Sequence, residues 1–202
     1  MEQANISALT EAVMERLFVP IEASGRHVHL TSEQAATLFS HPLTPSRPLS
    51  QPGQYLAKER LTLIGPKGEF HNVAVLGPER PEAQVELSLT DGRALGIRPP
   101  VRPSGQVRST PGITLKGPCG TVTLSQGVMA AQRHIHLSEA EGRRFGVCDG
   151  QTVKLQAFTR RPVIFEDVLV RVHKDFCAAV HLDYDEANAC GLQDGDFGRI
   201  LP

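Results

Sequence analysis

Arg26-His27-Val28-His29-Leu30-Thr31 and Arg133-His134-Ile135-His136-Leu137-Ser138 are one pattern written twice: an arginine, two histidines around an aliphatic residue, a leucine and a hydroxyl. On a β-strand residues i and i+2 share a face, so each copy aims two imidazoles one way and packs its aliphatic residues the other. Two such pairs predict two metal sites. Each copy runs into a helix-start signature, Thr31-x-x-Gln34 and Ser138-x-x-Glu141, in which a hydroxyl and a residue three further on satisfy free amides reciprocally. The unit is strand then capped helix, used twice. A lone His-x-His is more often structural than catalytic; recurrence in matching contexts favours ligation here. His41, His71 and His173 have no repeated counterpart and read as ordinary surface or core histidines.

With 202 residues the chain has room for one large or two small domains, and the repeat favours two. Lys+Arg number 21 against 22 Asp+Glu, with no long basic run, which argues against a nucleic-acid partner and for a soluble protein acting on small molecules. No apolar stretch reaches the roughly 18 residues of a membrane span, and the Met-Glu-Gln start lacks a signal-peptide pattern, so a cytoplasmic location is expected. Cys119, Cys148, Cys177 and Cys190 are too irregularly spaced for a zinc knuckle and read as buried small hydrophobes.

Ile6, Leu9, Val13 and Leu17 form one stripe of an amphipathic helix over residues 6–18, which Pro20 ends. This helix stands outside the repeat and reads either as a detachable extension or as a helix packed on its own domain or a dimer mate. After the first capped helix come four prolines (42, 45, 48 and 52), then alternating segments: Leu61–Ile64, Asn72–Leu76, Thr152–Gln156 and Val168–Val172. Turns at Gly65-Pro66, Gly77-Pro78 and Gly117-Pro118 punctuate them. Short strands with frequent turns predict a mainly β protein of small barrels or sandwiches capped by short helices.

A zinc ion with an open catalytic position takes three protein ligands, so each pair needs a partner. Asp91–Ile97 resembles Asp185–Leu192, each a short helix closed by a glycine, Gly96 or Gly191. Ten residues before those glycines stand Glu86 and His181, both in alternating segments. The candidate metal ligands are therefore His27, His29 and Glu86, and His134, His136 and His181.

The doubled Arg-His-x-His-Leu motif, with Gly77-Pro78-Glu79-Arg80 before Glu86 and His181 before Asn188, resembles the PduL-type phosphotransacylases, phosphate propanoyltransferases of bacterial microcompartments. Gln51–Tyr55, Gly65–Gly68, Thr110–Ile113 and Asp185–Asn188 extend the resemblance over nearly the whole chain. It implies an acyltransferase that interconverts short-chain acyl-CoA (propanoyl or acetyl) plus phosphate with acyl phosphate plus CoA, using two zinc ions in a site between two β-barrels. It also implies a swapped trace: an N-terminal encapsulation helix at 1–19, one barrel from 20–25 with 132–202, and the other from 26–131. Arg80 matches the phosphate-contacting arginine, while Ser24, Arg47, His181 and Asn188 match the CoA pocket. Relatives can carry an arginine in the strand before Gly77-Pro78, where this chain has Ala74. The implied setting is a microcompartment of the bacterial cytoplasm, as in propanediol degradation, with the helix binding shell or other cargo and the chain forming a dimer or larger homo-oligomer.

Neutral histidines leave a three-histidine zinc near +2, whereas Glu86 lowers the other site to about +1. Phosphate suits such a pair, and direct attack on the thioester needs no side-chain nucleophile. Zinc, Arg26 or Arg133 is expected to stabilise the developing oxyanion. There is no Gly-x-Ser-x-Gly elbow, and Cys119 is a weakly motivated acyl carrier. A dinuclear metallohydrolase using zinc-bound water is the alternative, and a zinc-stabilised scaffold a third, which six ligands for two sites disfavour.

Overall fold

The computed structural model describes residues 2–201, and within the first helix the side chains of 9, 10 and 12–17. The chain separates into two compact units: 1–23 with 133–182 and 186–202, and 24–132 with 183–185.

The first unit holds α1 (Glu2–Leu17), β1 (Val19–Ser24), β11 (His134–Leu137), α4 (Glu139–Phe145), β12 (Thr152–Phe158), β13 (Val163–Val172), β14 (Ala179–Asp183), α5 (Tyr184–Cys190) and β15 (Phe197–Leu201). Its six strands close into a barrel in the order β1-β14-β11-β13-β12-β15. Alternation supplies the filling: Val19, Ile21, Ile135, Leu137, Leu155, Val168, Val170, Val180 and Leu182 are buried together.

The second unit holds β2 (His27–His29), α2 (Ser32–Phe39), β3 (Pro45–Pro48), β4 (Tyr55–Ile64), β5 (Glu69–Gly77), β6 (Gln84–Glu86), α3 (Leu89–Leu95), β7 (Val101–Arg102), β8 (Ile113–Lys116), β9 (Thr121–Leu124) and β10 (Val128–Ala131). Here the main strand path is β7-β10-β6-β2-β5-β4-β8-β9, with β3 added on β4. This sheet is a half-barrel, so the mainly β class holds with one barrel closed and the other open. Gly-Pro-x-Gly turns join β4 to β5 and β8 to β9, Gly65 N–H donating to Gly68 O and Gly117 N–H to Gly120 O, each at 2.9 Å.

The repeat recurs as topology. β2 lies parallel to β5 and antiparallel to β6, while β11 lies parallel to β13 and antiparallel to β14. Thr31/Gln34 and Ser138/Glu141 form the expected capping boxes, and Ser88/Asp91 forms a third at the start of α3. Gly96 closes α3 at φ 77°, a left-handed conformation that strains any residue with a Cβ.

Two expectations change. α1 stops at Leu17, and Pro20 sits inside β1 opposite Phe197 rather than ending the helix itself. Phe18 packs on Phe158 and Phe197, at 5.6 and 4.7 Å between ring centroids, and Val19 is wholly buried, so the barrel begins before residue 20. Only Cys190 is a buried thiol; Cys119, Cys148 and Cys177 are exposed. Cys119 belongs to the Gly117–Gly120 turn and Cys148 follows the cap of α4, positions where surface location overrides the preference of the residue type.

Candidate metal centres

In the half-barrel, His27 and Glu86 are directly opposed across β2 and β6, and His29 lies two residues along on the same face. Val28, between them, points into the core opposite Val75 and Val85. Ligand atoms of His27, His29 and Glu86 lie within 4.8 Å of one another, and all three residues are buried. The barrel repeats the plan. His134 faces His181 across β11 and β14, their rings stacked 5.1 Å apart, and His136 completes a second cluster with the same 4.8 Å limit. The six residues nominated from the sequence thus meet in two groups of three, each assembled by one antiparallel register.

Both donor sets suit a borderline divalent ion such as zinc. His27 Nδ1 lies 2.8 Å from Gly25 O; the carbonyl can only accept, so Nδ1 carries the proton and Nε2, 3.5 Å from Glu86 Oε1, presents its lone pair. His29 Nδ1 is buried without a hydrogen-bond partner, a cost that a cation would remove. Burial, then the charges of His27 and Arg80, hold His29 well below the usual histidine range, in the neutral form that ligates. For His27 burial is the largest single influence and lowers its pKa, but the charge and hydrogen bond of Glu86, with the Gly25 carbonyl, outweigh it and raise the pKa overall. The carboxylate makes this pocket attract positive charge.

Glu86 is itself held. Gln84 Nε2 donates to Glu86 Oε1, Ser104 Oγ donates to the same oxygen at 3.1 Å, and Gly105 N–H donates to Gln84 Oε1 at 2.7 Å. Such second-layer bonds fix a ligand's orientation before a metal arrives. In the barrel site Phe176 packs on His136, 4.3 Å between centroids. None of Gln84, Ser104 and Phe176 was singled out from sequence. Gln84 carries a signal, being at i−2 from Glu86 on one strand face; Ser104 and Phe176 arrive by loop folding and carry none.

Arg80 follows the Gly77-Pro78 turn, its N–H donating to Leu30 O at 2.8 Å, while Glu79 Oε1 beside it accepts from Leu43 N–H at 2.9 Å. Its charge acts on both His27 and His29, lowering the pKa of each. Arg26 and Arg133, expected as oxyanion stabilisers, have other partners: Arg26 pairs with Asp91 at 2.7 Å and Arg133 with Glu186 at 2.7 Å. Their charges are neutralised by carboxylates, which makes them framework. Ser24 ends β1 half-buried, Arg47 is exposed on β3, and Asn188 is exposed on α5.

Residues 20–193 match the family model for phosphate propanoyltransferase, which spans both triads and Arg80. The chain belongs to the phosphate propanoyltransferase family. This is an acyltransferase family, and its similarity to curated phosphate propanoyltransferases runs nearly end to end. The protein of Leptotrichia buccalis is 52% identical over 182 residues, covering 89% of this chain and 86% of its own. That of Enterococcus faecalis is 51% identical over 183 residues, covering 90% and 87%. The Listeria monocytogenes protein is 47% identical over 207 aligned residues, covering 100% and 97%.

Proposed function

We propose that this phosphate propanoyltransferase relative transfers a short acyl group, propanoyl or acetyl, between CoA and inorganic phosphate with the help of two zinc ions. The observation that carries this reading is the pair of matched buried triads in a chain of that family. His27, His29 and Glu86 would hold one ion and His134, His136 and His181 the other. When bound, zinc supplies Lewis acidity and positive charge for a phosphate or acyl oxygen.

The chain's own residues do the rest. The Arg80 guanidinium, close enough to shift two of the histidines, is suited to clamp a phosphate through paired N–H donors and to orient one oxygen toward the thioester carbon. The new O–C bond forms as the C–S bond breaks, giving acyl phosphate and the CoA thiolate; no acylated side chain intervenes. Ser24 and Arg47 of the half-barrel unit, and His181 and Asn188 of the barrel unit, are each proposed to contact CoA. Among the described residues no helix is long and apolar enough to cross a membrane. We place the chain in the lumen of a bacterial microcompartment, where α1 binds shell or other cargo and favours self-association. Leu9, Val13 and Leu17 are exposed along that helix, which supports the reading; Ile6 has its side chain outside the described residues.

The test is CoA release from acetyl-CoA and propanoyl-CoA with and without phosphate, alongside elemental analysis. Release that requires phosphate is expected. Release without phosphate identifies a hydrolase and overturns the proposal.

A further inference from the structure

The strand row that carries Glu86 continues onto β10. That strand lies parallel to β6, with Val128 opposite Val85 and Met129 opposite Glu86. Val85 and Val128 are packed in the apolar core, so strand alternation turns Met129 to the other face, the one that bears His27 and Glu86. Leu87 N–H donates to Met129 O at 3.0 Å and holds this register. One strand spacing, about 4.8 Å, separates Met129 from Glu86 at the backbone. Met129 is wholly buried, yet it belongs to neither of the two apolar cores. An apolar side chain kept dry beside a polar triad is placed for something other than core packing.

The two sides of the triad differ. On one side Arg47 faces Leu56 and Leu56 faces Leu76, which stands two residues beyond Ala74, the partner of His27. That side leads to the exposed arginine proposed above to contact CoA. Along β6 the neighbouring position on the face is taken by Gln84, whose amide bonds Glu86, Ser104 and the Gly105 N–H. Across from Glu86, away from Arg47, β10 presents the Met129 thioether and then the Ala131 methyl group. Arg102, a strand further out opposite Ala131, donates to the Arg108 carbonyl at 2.7 Å.

We infer that Met129 is the end wall of the acyl pocket and sets the longest acyl chain the site accepts. An acyl-CoA has CoA on one side of its reacting carbon and a hydrocarbon tail on the other. With CoA on the Arg47 side and the carbon at the triad, the tail is carried toward β10, where it meets an unbranched, polarisable side chain suited to packing on alkyl groups. Because Met129 is fully buried, it closes that direction: an acetyl or propanoyl tail stops against it, and a longer one collides. The inference rests on the transferase reading for the identity of the ligand.

Met129→Ala, Met129→Val and Met129→Leu of the metal-loaded full chain test it. Turnover of acetyl-, propanoyl-, butanoyl- and pentanoyl-CoA with phosphate gives kcat/KM across chain length. Calorimetry with the non-reacting thioethers S-ethyl-CoA and S-butyl-CoA reads the same preference without turnover. One methylene in an apolar pocket is worth about 10- to 200-fold, so Met129→Ala, which removes Cγ, Sδ and Cε, should raise the butanoyl-to-acetyl ratio at least about ten-fold. Met129→Val should raise it less, and Met129→Leu, which keeps the volume, should leave it close to wild type. The smaller cut in the valine variant decides the matter if the alanine variant unfolds. An unchanged ratio, or an equal loss for every chain length, makes Met129 a packing residue and overturns the inference while phosphate-dependent transfer stands. CoA release that ignores phosphate in the wild type sinks the transferase reading instead, and a shift toward S-butyl-CoA binding in the variants then still upholds the wall.

Discussion

Arg26 and Asp91 are joined by two parallel hydrogen bonds, Nη2 to Oδ1 at 2.7 Å and Nε to Oδ2 at 3.1 Å, across 65 residues of sequence. The guanidinium also lies over the Phe70 ring, 4.1 Å from its centroid. Arg133 repeats the arrangement with Glu186 at 2.7 Å and the Phe165 ring at 5.7 Å. In each half the arginine ahead of the histidine pair is thereby tied to the helix that follows the third ligand. The hydrogen bond and charge of Asp91 raise the Arg26 pKa further above its ordinary value despite some burial, so the guanidinium stays charged throughout the working range.

Replacing Arg26 with Ala strands a buried Asp91 carboxylate, which also caps α3. With the arginine 37% exposed, solvent offsets part of the loss, and a destabilisation of about 2 kcal/mol is expected. Arg26→Lys should recover less than half of it, because an ammonium does not form the paired bonds. Urea denaturation of both variants, with Asp91→Asn for a double-mutant cycle, measures the coupling.

His27→Ala and His134→Ala should each remove one metal equivalent and leave the other. Elemental analysis of the folded proteins decides this; unchanged metal content in both variants would falsify the two-site assignment.

Arg80→Lys should already be impaired, since an ammonium does not reproduce the bidentate clamp. Arg80→Ala should lose roughly 2–4 kcal/mol of transition-state stabilisation, about 30- to 1000-fold in rate. Normal phosphate saturation and turnover in Arg80→Ala excludes the role.

Glu59 provides a pH signature. Burial pushes its carboxyl up, but the Thr44 backbone N–H at 3.0 Å, its own backbone and the charge of His41 outweigh this and hold it below the ordinary value of 4.5. A depressed folded-state pKa contributes stability that is present above 4.5 and is lost as pH falls through the lower folded value. Denaturation midpoints measured between neutral pH and about pH 3 should therefore fall less steeply in Glu59→Gln than in the wild type.

Deleting residues 1–17 should preserve folding and turnover while reducing self-association and co-purification with shells. The cut must spare Phe18 and Val19, which pack in the barrel. A truncated chain that unfolds, or that enters shells as before, places α1 in the core instead.

The triads were legible because strand periodicity acts locally: His-x-His fixes two ligands on one face, and the glycine-closed helices gave the offset to Glu86 and His181. The Arg26–Asp91 pair was not, because nothing local sets a contact across 65 residues, although the Ser88-x-x-Asp91 capping box was there to be read. Ser104 meets Glu86 only after the chain beyond β7 folds back, a matter of loop path rather than pattern. Reading the cysteines by residue type failed where turn geometry should have ruled: a Gly-Pro-Cys-Gly turn puts Cys119 outside.

β1 pairs with β15, Val19 opposite Gly198, so the barrel's first strand and its last are separated by almost the whole chain. On the ribosome, Val19–Ser24 emerges early and waits while everything up to Leu201 is made. The half-barrel, nearly continuous from 24 to 132, is free to mature in that interval, whereas the barrel must close a long loop. A circular permutant opened between Gln132 and Arg133, with the old termini joined by a flexible linker, removes the wait. It should refold faster than the native order, with the larger gain in whichever probe reports on the barrel.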